Sequence, residues 1–437
     1  MKLILGFSIP LLFGNLFQQF YSMVDTMIVG RVLGTGPLAA VGSTGSITFL
    51  IIGFCLGLCS GFAIPVAQRF GSRDYKELRR FIGNAVWLCV GFGIVLTVLT
   101  VIFCRNILEL MGTPADIIDD AYAYLVIIFA GIPATFLYNM LAGIQRAIGD
   151  SRTPVVILVI ASIINIVLDI VFVVFIPMGV AGAAVATVAS QLIGGVVCLL
   201  YVSKHYEVLK MTREDFKINV PCIKRLLSMG LPMALQTSIT AIGSVILQAS
   251  VNSLGSTVVA SITAGSRLYM FFACAYDAMG VTMSTYSGQN IGARKIDRIG
   301  QGVKACNIVG IIYSVLALLI IVFLGKWMLL LFVDAGETAI INSAYWYLVC
   351  SGLFMIPLTF VNVLRLTIQG MGYSRLALFA GVFEMIARGG VGLFLVPLFG
   401  FNAACFSGPI AWILADSFLI PMYYHVIRRA KRGEGIY

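Results

Sequence analysis

The chain is predicted to be an all-α polytopic membrane protein: twelve transmembrane helices in two six-helix bundles, related by a pseudo-two-fold axis along the membrane normal. Three observations carry this. Of 437 residues, 60% are hydrophobic and 11% charged, with mean hydropathy +1.00. Soluble domains carry about 25% charged residues. The apolar residues fall into twelve runs, each near the ~20 residues that cross a bilayer. The second half also repeats the first.

Spans are expected at 4–31, 43–68, 82–104, 121–142, 154–176 and 180–202, then at 228–251, 266–288, 304–325, 340–366, 375–398 and 403–427. Met1-Lys2 runs straight into the first span. That span is too long for a signal h-region and is expected to be retained. The formal charge of +10 is distributed by topology: with the N-terminus inside, 23 of the 29 Lys and Arg lie in inside loops and tails. The outside loops hold only Arg31, Arg105, Arg267 and Lys326, and Arg365 and Arg388 lie within spans. The positive-inside rule then puts both termini in the cytoplasm of a bacterial-type inner membrane, and the basic balance is no nucleic-acid footprint.

The repeat is direct. At an offset of 221 residues, Gln68-Arg69-Phe70-Gly71-Ser72-Arg73 matches Gln289-Asn290-Ile291-Gly292-Ala293-Arg294, and Gly179 to Ala184 matches Gly400 to Cys405. At an offset of 223, Gly149-Asp150-Ser151-Arg152 matches Gly372-Tyr373-Ser374-Arg375. Six spans per half return the chain to the same side, so both halves have one orientation. Residues 1–203 form the expected N-terminal bundle, 204–225 a solvated cytoplasmic linker, 226–427 the C-terminal bundle and 428–437 a basic tail. Pro10, Pro133, Pro232 and Pro357 stand at corresponding places where helices can bend, and frequent glycines let helices approach closely. The ten cysteines lie almost all within spans, and Cys55 and Cys59 are an i,i+4 pair with no matching His or Cys cluster. They read as small apolar packing residues, not as a disulfide or zinc framework.

Polar groups inside spans carry the functional signal. Asn165 and Asp169, four residues apart, share one helix face in an apolar run from about Pro154 to Ile176. A carboxylate at the bilayer centre costs about 2.5 to 3.5 kcal/mol, so such groups face a protein interior or a wet cavity. Asp25 is the other acid in the middle of the first six spans. Two such carboxylates with amide and hydroxyl oxygens offer hard ligands to Na⁺ or a place for a proton. These residues do not choose between the two ions.

Pro10, Gln18-Gln19, Val24 to Gly30, the two Gln-x-x-Gly loops, Gly149 to Pro154 and Asn165-x-x-x-Asp169 occur in one order along the whole chain. In this it resembles the multidrug and toxic compound extrusion (MATE) family of cation-coupled antiporters, most of all the DinF-like branch. The resemblance implies a V-shaped pair of bundles that opens alternately to either side. Such a protein exports amphipathic, often cationic, compounds in exchange for Na⁺ or H⁺, and is not an enzyme. It also implies a cation site in the N-terminal bundle at Asp25, Tyr124, Asn139, Asn165, Asp169 and Thr187, with any Na⁺ held by Asp25, Asn165, Asp169 and Thr187. No cofactor beyond the coupling ion is expected. The expected partners are a small-molecule substrate and the lipid bilayer, with the chain a monomer.

A substrate cavity is expected at Tyr21, Met27, Phe136, Met140, Met270, Asp277, Glu384 and Arg388. Methionines and aromatics give an adaptable wall, although the same residues also suit plain packing. Glu384 and Arg388 are an i,i+4 pair that can neutralise itself, and Arg365 and Asp416 invite a similar reading. Some branches of the family add an acidic site in the seventh and eighth spans. Here the seventh span has no acid and the eighth has Asp277. At the repeat offset Asn165 falls on Arg388 and Asp169 on Gly392, which argues for one coupling site, in the first half. Two other functions stay open: a flippase for a lipid-linked or anionic precursor, motivated by Arg365 and Arg388, and more remotely an intramembrane aspartyl hydrolase using Asp25 and Asp169.

Overall fold

The computed structural model describes residues 1–433, and its regular elements are helical. Ten helices are long and apolar enough to cross a membrane, and two further bent pairs bring the number to twelve. This is the expected count of spans. The first half contains α1 (Lys2–Ile28), α2 (Thr35–Ser43), α3 (Gly45–Gly71), α4 (Tyr75–Ile102), α5 (Cys104–Leu110), α6 (Ile118–Ala130), α7 (Ile132–Ala147), α8 (Arg152–Asp169) and α9 (Val180–His205). The second contains α10 (Val220–Asn252), α11 (Ser256–Gly292), α12 (Ile296–Leu329), α13 (Thr338–Leu353), α14 (Met355–Gly370), α15 (Ser374–Gly390), α16 (Val396–Phe399) and α17 (Phe401–Lys431). Several helices outrun the expected spans because backbone hydrogen bonding continues through polar ends that an apolar count leaves out.

The bent pairs are α6 with α7, at 46°, and α13 with α14, at 54°. Pro133 and Pro357 sit at the starts of α7 and α14. A ring without an N–H is tolerated in a first turn but cannot continue the preceding helix, so proline fixes the break. Pro10 and Pro232 lie inside α1 and α10.

The repeat is visible in the backbone. Gly34 and Gly255 have φ of 93° and 98°, Gly149 and Gly372 of 99° and 98°, and Gly179 and Gly400 of 64° and 58°. Arg73 and Arg294, at φ 60° and 57°, are the positive-φ residues other than glycine among the described residues. Each follows a long helix, and the next amide reaches back to close the last turn: Asp74 N to Arg69 O at 3.1 Å and Lys295 N to Asn290 O at 2.8 Å. Both halves thus stop the same helix by the same device.

Contacts divide the chain into two compact units, Phe13–Ala234 and Met1–Leu12 with the chain from Leu235 onward. These limits differ from the expected 1–203 and 226–427, and packing explains why. Ile4 belongs to the core built on Leu268, Tyr276 and Met283, and the Ser8 and Thr282 hydroxyls lie 2.7 Å apart. The start of α10 packs on α3 through small residues: a Cβ on Gly57 would stand 2.6 Å from Ala234 Cα, and one on Gly61 would meet the Gly230 backbone. All ten cysteines are buried thiols, as packing residues should be.

The segment expected as a solvated linker is bound to its own unit. Asn84 donates to Lys217 O at 3.3 Å and accepts from Asn219 N at 2.8 Å, while the Trp87 indole donates to Phe216 O at 2.9 Å. Arg79 Nε lies 3.4 Å from Asp215 Oδ2, and the Tyr206 hydroxyl donates to Asp150. Gly83 supplies the clearance, because a Cβ there would run into the Asp215 carbonyl. Composition showed a polar stretch; its backbone groups are satisfied by α4 and not by water alone.

Candidate cation-coupling site

Helices α1 and α8 deliver the two intramembrane acids. Tyr21 and Asp25 stand one turn apart on α1, and Asn165 and Asp169 one turn apart on α8. Both helices widen just beyond their acid: α1 passes into a π-helical turn at Val29–Leu33, and α8 into one at Ile170–Phe175. Such turns cluster at functional sites because they break the regular register and loosen the hydrogen-bond ladder.

The carboxyl groups of Asp25 and Asp169 meet within hydrogen-bonding reach of each other. Tyr21 and Tyr124 stand in the field of both carboxylates, and Gln18 hydrogen-bonds Tyr21. Tyr124 is positioned by packing on the cluster of Val29, Val173 and Ala183, two of which come from the π-helical turns. Asp169 is 0% and Asn165 2% exposed. Among the described residues, neither oxygen of Asp169, neither polar atom of Asn165 and not Oδ1 of Asp25 has a hydrogen-bond partner. Two ionised carboxylates have no proton to share, so closeness alone does not satisfy them. A proton between them, or a cation beside them, does.

Not every expected residue joins this group. Asn139 donates to Thr135 O at 2.8 Å and Thr187 to Ala183 O at 3.0 Å, each within its own helix. No hydrogen bond ties either to the carboxyl pair among the described residues. Phe136 and Met140 are 2% and 4% exposed and line a cavity of about 860 Å³ between α4, α7 and α9. Met27 and Met270 are exposed.

In the other unit, Glu384 is paired with Arg388 at 3.5 Å, but its shorter contact is to Arg365 on α14, at 2.8 Å. Arg365 also donates to Asn362 Oδ1 at 3.2 Å and Arg388 to Ser244 Oγ at 3.0 Å. Helical spacing picks out Arg388; Arg365 comes from another helix, and only its presence inside a span signals it. Asp277 is exposed and stands in the field of Arg365. Asp416 is buried beside Glu384 and Arg365, and its Oδ1 has no hydrogen-bond partner among the described residues.

Residues 10–171 and 232–393 each match the MatE family model. The chain belongs to the MatE family. The two matches fall one in each half of the repeat, so this MatE chain carries the family unit twice. A probable multidrug resistance protein of Bacillus subtilis, YoeA, is 32% identical over 76% of this chain and 73% of its own length. The DNA damage-inducible protein F of Escherichia coli is 27% identical over 71% of this chain and 69% of its own length. Among solved structures, an outward-facing multidrug resistance MATE transporter superposes with a TM-score of 0.93 at 22% identity, covering 98% of this chain and 96% of that one. At that identity the likeness concerns the fold.

Proposed function

We propose that this MatE protein exports amphipathic, cationic small molecules by alternating access, in exchange for H⁺ or Na⁺ taken up at Asp25 and Asp169. The observation that carries the reading is the carboxyl pair with Asn165: both oxygens of Asp169, Oδ1 of Asp25 and both polar atoms of Asn165 have no hydrogen-bond partner among the described residues. An unsatisfied buried polar group costs about 1–3 kcal/mol, and more when charged. Ionisable residues inside spans mark ion pathways and proton relays, and an exchangeable ion would complete this set of three on two helices. Na⁺ would be held by oxygens of Asp25, Asn165 and Asp169, with Thr187 one candidate to complete the shell; a proton needs only the acids. The relatives named for multidrug resistance and multidrug export support the cargo class.

The ion acts by differential affinity. It shifts the balance between two conformations only by as much as it binds one better than the other. The distribution of Lys and Arg supports an orientation with both termini on the cytoplasmic side of a bacterial-type inner membrane. Residues 1–203 would form the coupling bundle and 226–427 its partner, with the chain working as a monomer.

The flippase reading loses its motive in the second unit, because Arg365 and Arg388 are both paired with Glu384. The test is transport of tetraphenylphosphonium in proteoliposomes under separate H⁺ and Na⁺ gradients. Uptake driven by one gradient in the wild type and lost in Asp169→Asn is the expected result. Equal, gradient-independent rates for both proteins would sink the proposal.

A further inference from the structure

We propose that the cavity between α4, α7 and α9 is a structural binding site for one anionic phospholipid, whose acyl chain fills the groove and whose headgroup sits at the linker end against Lys210. The walls are one face of each helix: Ile82, Val86, Cys89, Val90, Gly93 and Ile94 follow the i, i+4, i+7 spacing on α4, with Phe136 and Met140 opposite on α7. The lining is apolar along the helices, and its polar residues, Ser203 and Lys210, lie at one end.

The length fits the occupant. From Ile82 to Ile94 α4 rises about 18 Å, close to the ~15 Å of hydrocarbon in one leaflet of a 30 Å core. The depth fits as well. The Ile82 end adjoins the strap held by Asn84 and Trp87, and Trp87 is half exposed with its indole N–H bound to Phe216 O. Tryptophan is enriched in the interfacial region, which agrees with the polar strap lying at headgroup level.

Charge decides the headgroup. Among the described residues Lys210 is ion-paired with Glu207, at 3.7 Å, and both side chains are well exposed. Such a surface pair contributes little and gives way readily to a phosphate. A cation at the mouth disfavours the cationic cargo proposed above, so the groove is distinct from the transport path. The site is also built: Leu209, Met211 and Phe216 of the strap close its end, and the strap is fixed by hydrogen bonds to α4. Gly93 lines the middle, where a Cβ would already touch Phe136 Cδ2 at 3.6 Å, so a side chain longer than a methyl would extend into the groove.

The experiment uses the full-length protein in nanodiscs doped with phosphatidylglycerol or phosphatidylcholine, each carrying a diazirine in one acyl chain, with adducts mapped by peptide mass spectrometry. Adducts should concentrate on residues 82–94 and 133–144 and favour phosphatidylglycerol. Lys210→Gln should lower that preference about fivefold. Gly93→Leu should remove the adducts from both lipids, and Val90→Phe at the lipid-facing wall should do the same if the first variant fails to fold. Labelling spread evenly over all spans, or equal from the two lipids, would mean annular lipid only and overturn the proposal. Protection by tetraphenylphosphonium would also overturn it, by making the groove a cargo site.

Discussion

Asp25 on α1 and Asp169 on α8 place their carboxyl groups within reach of one another, and neither side chain is fully satisfied by the protein. Helix spacing explains the neighbours Tyr21 and Asn165, but the meeting of the two acids is a tertiary fact. It makes the pair one functional unit, in which a change to either acid alters the ion that both hold.

Asp169→Asn should therefore abolish coupling without unfolding the protein. The amide keeps the shape and removes the group that takes up a proton or the negative charge that holds a cation. Tetraphenylphosphonium efflux should fall at least tenfold, equivalent to about 1.4 kcal/mol, while thermal stability in detergent stays the same or rises. A stable variant with wild-type ion dependence would show that the pair is structural.

The close approach of α3 and α10 should be intolerant of even one methyl group. Gly61→Ala brings a Cβ onto the Gly230 backbone, and Gly230→Ala brings one onto the Phe62 ring. Overpacking costs about 1–3 kcal/mol, and Gly61→Ala should be the more severe because backbone yields less than a ring. Fluorescence-detected size-exclusion after heating reads this directly; unchanged melting in Gly61→Ala would contradict the packing.

Asp150 predicts a pH dependence. Burial pushes its carboxyl up, but hydrogen bonds from Thr153 and the Tyr206 hydroxyl, with the amides of Thr153 and Arg152, outweigh this and hold it below the usual range. A carboxyl lowered on folding contributes stability above its unfolded pKa of about 3.9 and loses it as pH falls through the folded value. Asp150→Asn should cost about 1–2 kcal/mol at neutral pH, because the neutral amide still accepts but loses the charge that strengthens these hydrogen bonds. The gap from wild type should stay constant down to about pH 5 and close below about pH 4. Melting curves of both proteins across that range check it.

Breaking the ion cluster of the second unit should be costly. Glu384→Ala leaves Arg365 and Arg388 without their shared carboxylate, which is buried with 5% of its side chain exposed. Removing one partner of a buried pair costs about 3–5 kcal/mol. Arg388→Gln should cost less than Arg365→Gln, since 3.5 Å is the longer contact and 2.8 Å the shorter. The reverse order in thermal unfolding would count against this assignment of partners.

The strap predicts protection from proteolysis. Asn84→Ala removes the groups that bind Lys217 O and Asn219 N. Cleavage by trypsin after Arg213 or Lys217 should quicken severalfold in the folded protein. Equal rates in wild type and variant would mean that the segment opens freely.

The sequence alone was enough for the twelve spans and the two-fold repeat, because bilayer insertion is read from composition and length. The same periodicity that makes a span apolar also exposes its exceptions, so Asp25, Asn165 and Asp169 were legible as candidates. Turn chemistry was legible too: the matched glycines at 34 and 255, 149 and 372, and 179 and 400 all take positive φ. What only the tertiary structure decided is which groups meet across helices. Arg365 became the main partner of Glu384, Phe136 and Met140 turned to a separate groove, the supposed linker bound α4, and Asn139 and Thr187 bonded back to their own helices. The physical reason is one of range. Hydropathy and helical spacing fix each residue's depth and face within its own span, but not the rotation of that face toward a neighbour, which packing of small residues such as Gly57, Gly61 and Gly230 sets.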